Sequence, residues 1–142
     1  MAKVSDLMGS KGGAVFAVGP DDPVLSAIQM MADRGVGALL VMRGDELLGI
    51  VSERDYARKV ILKGRSSAET PVWQIMSSPV TTVSHEDSCN TCMMLMTERK
   101  FRHLPVVDEG RVVGVLSIGD LVKAVIEEQQ REIEQLQQYI AS

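Results

Sequence analysis

Gly49-Ile50-Val51-Ser52-Glu53-Arg54-Asp55 decides how this chain is read, because it returns 65 residues later as Gly114-Val115-Leu116-Ser117-Ile118-Gly119-Asp120. Each copy is a short apolar run ending in a hydroxyl, with a carboxylate three residues further on. The apolar run predicts a strand and the Ser-x-x-Asp spacing predicts a helix start. At such a junction the first backbone N–H groups of the helix lack partners inside the helix, and its positive end faces outward. An anion is therefore stabilised there.

The repeat extends outward from this stretch. Shifted by the same interval, the sequence overlays on itself without a gap from Val18 to Ile61. Asp22 meets Asp87, Met31 meets Met96, Arg34 meets Arg99, Leu39 meets Leu104 and Val41 meets Val106. Two copies are too few for a solenoid, and predict two half-units packed face to face.

Both copies share one internal order. A strand over Ala14 to Val18, echoed by Val80 to Val83, comes first. Asp21 or Asp22 then serves as a predicted N-cap, with Pro23 in the first helical position. Val24, Ala27, Ile28 and Met31 form one apolar stripe, matched by Cys89, Cys92, Met93 and Met96. Gly35 stops the first helix. Two strands follow, Ala38 to Met42 and Leu47 to Val51, echoed by Leu104 to Val107 and Val112 to Leu116. Pro105 suits a strand only near its start or at an edge. A second helix is predicted from Glu53 to about Lys63. Val4 to Met8 and Val72 to Met76 are matching lead-in turns. The last helix runs on past Glu127, with Ile126, Ile133, Leu136 and Ile140 on one side, close to a heptad seam.

Composition sets limits on function. The net charge of -4 and the acidic isoelectric point argue against nucleic-acid binding, which needs a basic footprint. No apolar run approaches the roughly 18 residues of a membrane span. The first residues lack the apolar core of a signal peptide, and two cysteines make no disulfide framework, so a cytoplasmic location is expected.

A strand–helix–strand–strand–helix unit, repeated once and closing on Gly-apolar-apolar-Ser-x-x-Asp, resembles the CBS domain, and the pair resembles a Bateman module. The resemblance covers about Val4 to Glu127, and it is to stand-alone signal-transduction members of the family. It implies an α/β (α+β) fold of two tandem β-α-β-β-α units, residues 1–66 and 67–142, with pseudo-two-fold symmetry and sheets packed face to face. It implies two clefts that bind AMP, ADP, ATP, NAD(H) or S-adenosylmethionine, and no catalysis. Asp55 and Asp120 would hold ribose, and Ser52 and Ser117 would lie near ribose or phosphate. Ala14, Val15 and Phe16, and Val80 and Thr81 after Pro79, would line adenine. Arg102 and His103 would contact phosphate, where the first copy has the uncharged Gly37 and Ala38. Arg54, in the turn nearest the anion site, is a further candidate. A homodimer is expected, with no metal.

Other readings of the same residues stand beside this one. Ser-x-x-Asp is a helix cap in its own right, and a capping Ser places its Asp over the helix start. Cys89-Asn90-Thr91-Cys92 could be a redox pair or half a zinc site, giving a thiol or zinc regulator. Its alignment with Val24 and Ala27 places both thiols in the core instead. A purely structural dimerisation unit is the third reading.

Overall fold

A computed structural model describes residues 2–11 and 15–141. Helix α2 (Val24–Arg34) buries Val24, Ala27 and Met31 of the predicted stripe, leaves its fourth member, Ile28, half-buried, and ends at Gly35 with φ of 66°. That left-handed φ favours glycine. Its start corrects the expectation. Pro23 stands at the N-cap with extended backbone, and the Asp22 carboxylate instead accepts from the Gly19 amide at 2.8 Å. Asp87 closes the same turn on Ser84 at 2.8 Å, and Ser88 caps α4 (Cys89–Arg99) through the Thr91 amide at 3.1 Å.

Strands β2 (Ala38–Arg43) and β3 (Glu46–Ser52) pair antiparallel, and β4 (His103–Asp108) and β5 (Arg111–Ser117) repeat the register with the same irregularity. The lead strands are shorter than predicted and unequal. β1 (Ala17–Val18) lies parallel to β2, and the Leu40 amide donates to the Phe16 carbonyl at 3.2 Å. The second copy forms no lead strand over Val80–Val83, only a single parallel bridge from Val83 to Val106. Pro105 is the reason. It occupies the position of Leu40 and has no N–H to give Thr81, the counterpart of Phe16. Pro105 O still accepts from Val83 N, at 3.0 Å.

The chain forms two compact bodies. Val15–Thr81 forms one, and the segment carrying α1 (Val4–Lys11) joins the residues from Thr82 onward in the other. Backbone pairing explains the grouping. Val4 N donates to Asp87 O at 2.9 Å and Cys89 N to Ala2 O at 3.0 Å. In the other body Val72 N donates to Asp22 O at 2.9 Å and Val24 N to Thr70 O at 2.8 Å. Each lead-in also fills the space over a strand glycine. A Cβ on Gly49 would stand 2.6 Å from Met76 Sδ, and one on Gly114 would meet Met8. The two cores are separate clusters. One is built on Leu39, Val41, Val51, Val60 and Ile75, the other on Leu104, Val106, Leu116, Leu121 and the two cysteines.

Helix α3 (Glu53–Tyr56) widens into a π-helical turn over Ala57–Ile61, with Leu62 N donating to Ala57 O at 3.0 Å. This departs from a regular helix to Lys63. Val60 is buried by the wider turn, while Ile61 is left exposed. Helix α5 (Ile118–Ala141) packs on α4 and β5 at its start. Beyond Glu128 every described side chain is exposed, including Ile133, Leu136 and Ile140. No helix among the described residues is long and apolar enough to cross a membrane.

Candidate functional site

The two Ser-x-x-Asp junctions have the same geometry. Ser52 N donates to Asp55 Oδ2 at 2.9 Å, Ser52 Oγ to the same oxygen at 3.0 Å, and Asp55 N to Ser52 Oγ at 3.2 Å. At the second junction the distances are 2.8, 3.0 and 3.2 Å, with Ser117 and Asp120 in the same roles. This is a reciprocal capping box with Asp in place of Glu. It fixes both rotamers and locks each carboxylate over its helix start. The cap reading and the ligand reading thus describe one arrangement, since Oδ2 serves the cap and Oδ1 is a second acceptor on the same group.

Backbone pairing sets some of the other predicted residues at these junctions. His103 is the cross-strand partner of Ser117, and Ile118 N donates to Arg102 O at 2.9 Å. Arg102 is exposed and His103 half-buried, and backbone pairing sets both residues next to Ser117 and Ile118. At the first junction Ala38 partners Ser52, and Glu53 N donates to Gly37 O at 3.0 Å, with no charge on either residue. Arg54 is exposed. Val15 and Phe16 lead into β1 and are half-buried, and the Arg34 guanidinium lies 5.1 Å from the Phe16 ring centre. One face of that ring therefore already carries a cation. Val80 and Thr81 are half-buried at the end of the body that carries Asp55. Ala14 lies outside the described residues.

Arg54, Arg58, Lys59 and Lys63 mark a basic strip in the sequence, but the contacts of Lys59 and a groove in the second repeat are visible only in the structure. Lys59 Nζ sits 3.3 Å from Asp55 Oδ1 and donates to the Ile75 carbonyl at 2.9 Å. Its i,i+4 spacing from Asp55 was the available signal; the equivalent of Lys59 in the second copy is Ala124. Beside Ser117 and Asp120, an open groove of about 710 Å³ is lined by Arg102, Ile118, Gly119, Val122, Lys123 and neighbours on α5. Its walls are largely apolar, and its charged members are Arg102, Lys123 and Glu127.

The cysteines lie in the core of the second repeat, in one cluster with Leu116 and Leu121. Cys89 and Cys92 are buried and unbridged. Burial pushes the Cys92 thiol up to about 11, with Cys89 and Asp87 adding to the effect, and burial also raises Cys89. Both thiols are thus held protonated, the unreactive form. Among the described residues no group of three or more His, Cys, Asp or Glu is placed to hold a metal ion.

A strand-to-helix cap duplicated in register, with the half-unit around it, defines a tandem module of two α+β repeats. The chain belongs to the CBS-domain family, whose profile matches residues 4–62 and 72–127. It is similar to the CBS domain-containing protein CBSX3, described as mitochondrial, of Arabidopsis thaliana, at 41% identity, covering 96% of this chain and 71% of that one. Among solved structures it is similar to a candidate signal-transduction protein with CBS domains from Burkholderia ambifaria. That match has 49% identity and a TM-score of 0.87, over 90% of this chain and 96% of the other. A CBS domain protein from Pyrobaculum aerophilum, complexed with AMP, matches at 26% identity and a TM-score of 0.73, over 83% and 88% of the two chains.

Proposed function

We propose that this chain is a non-catalytic regulatory module that binds an adenine nucleotide, AMP, ATP or NAD(H), at its two Ser-x-x-Asp junctions. The observation that carries the reading is the duplicated carboxylate, held rigid by its own serine at the same point of both repeats. A carboxylate accepts a ribose hydroxyl, and hydrogen bonds to a charged group contribute about 1.5–3 kcal/mol. Asp55 and Asp120 take the ribose, with Ser52 and Ser117 beside it. Val15, Phe16, Val80 and Thr81 line the base. Arg102 and His103 meet phosphate in the second site, with Arg54 the candidate in the first. The AMP bound to the Pyrobaculum relative supports the ligand class. We further propose that the protein is cytoplasmic and a homodimer joined through the exposed stripe of α5.

Ligand moves such a protein only by its differential affinity for two states. Melting temperatures measured with AMP, ATP, NADH and S-adenosylmethionine test the reading. At a hundred times Kd a bound ligand stabilises by about 2.7 kcal/mol, and the shift disappears when both aspartates are Asn. No shift with any of the four at millimolar concentration overturns the proposal, and leaves the structural dimerisation unit in its place. Buried, protonated thiols weigh against a redox regulator.

A further inference from the structure

We infer that Lys59 makes the first site selective for phosphorylated nucleosides over neutral ones, an inference that rests on the nucleotide-binding reading above. Asp55 is only 15% exposed at its side chain, and three donors already address its carboxylate. The Ser52 amide and hydroxyl take Oδ2, and the Lys59 ammonium takes Oδ1. Lys59 is not an ordinary mobile surface cation. Its second contact, to the Ile75 carbonyl, ties it to a residue 16 positions further along and holds it over the carboxylate. Ile75 is fully buried, so this anchor is rigid.

A ribose hydroxyl reaching Oδ1 therefore either displaces the ammonium or shares the oxygen with it. In both cases Nζ stays within about two hydrogen-bond lengths, roughly 6 Å, of the bound hydroxyl. A neutral nucleoside weakens the ion pair and offers the cation nothing in exchange. A nucleotide brings a phosphate that the ammonium can pair with while it keeps its bond to Ile75 O. The same cation thus works against the first ligand and for the second. The uncharged Gly37 and Ala38 beside Ser52 make Lys59 matter more here. In the second repeat Ala124 rules out any such contact from that position.

The test measures Kd for AMP and for adenosine by titration calorimetry in the Asp120→Asn background, which leaves the first site to be read. Asn keeps an acceptor for the cap at the second junction, so the background variant preserves the fold. Lys59→Met keeps the length of the side chain and removes its charge. The ratio of adenosine Kd to AMP Kd is expected to fall at least tenfold in Lys59→Met, while Lys59→Arg keeps most of it. A ratio that stays within threefold, with binding still abolished by Asp55→Asn, overturns the role of Lys59 and leaves nucleotide binding standing. No binding of either compound to the unmutated protein overturns both.

Discussion

Replacing Gly49 by Ala puts a methyl group where the structure has no room. Its Cβ would lie 2.6 Å from Met76 Sδ and 2.9 Å from the Ser77 carbonyl oxygen. The thioether can swing aside, but the carbonyl cannot. Ser77 is fixed by two backbone bonds to Ile50, Ser77 N to Ile50 O at 2.9 Å and Ile50 N to Ser77 O at 3.1 Å. Relief therefore requires moving β3 or the lead-in after Val72. Such overpacking costs about 1–3 kcal/mol, and a carbonyl that cannot yield puts it in the upper half of that range; removing a strand glycine returns about 0.5–1 kcal/mol, so the net loss is about 1–2.5 kcal/mol. For a chain of this size that lowers Tm by about 2–10 °C. Gly114→Ala is the control, because its Cβ meets only the flexible end of Met8, the terminal methyl Cε nearest and Sδ behind it. Its Tm is expected to change by less than half as much. Adding Met76→Ala to Gly49→Ala should recover only part of the loss, since the carbonyl remains. Thermal melts of the four proteins decide the matter. A Gly49→Ala protein as stable as the original, or a Gly114→Ala protein hurt equally, would refute the packing described for the lead-ins.

Two further outcomes follow from the cysteines and from α5. The Cys92 thiol is raised from 9.0 to about 11, so the folded state keeps a proton that the unfolded chain releases. The stability this represents is complete below about pH 9 and is lost as pH rises toward about 11. Melts of Cys92→Ala across that window should fall less steeply than those of the unmodified chain, by up to about 1.4 kcal/mol per pH unit, and an unchanged slope contradicts the burial argument. Among the described residues, truncation after Glu128 removes only exposed side chains, Ile133, Leu136 and Ile140 among them. Light scattering should then report half the native mass with the melt little changed, whereas an unaltered mass removes α5 as the interface.

Much of the site was legible because its parts are local. Ser52 and Asp55, or Ser117 and Asp120, are three residues apart, and their spacing already implies the cap that aims the carboxylate. The stripes of α2 and α4 were equally plain, cysteines included, because helical spacing reports burial directly. What escaped depends on distance along the chain. Val4 beside Asp87, and Lys59 on the Ile75 carbonyl, are set by how segments pack rather than by periodicity. The repeat even misled at the lead strands, because it hides the single N–H that Pro105 lacks and Leu40 uses. Aligned positions share a place in the fold and need not share its hydrogen bonds.

Calorimetric titration of AMP into the unmodified protein and into the Asp55→Asn, Asp120→Asn double variant tests the central claim most directly. Saturable binding to the first, and its loss in a double variant that still melts cooperatively, is the result this account predicts. Equal binding to both proteins would contradict it, by placing the ligand away from the paired Ser-x-x-Asp junctions.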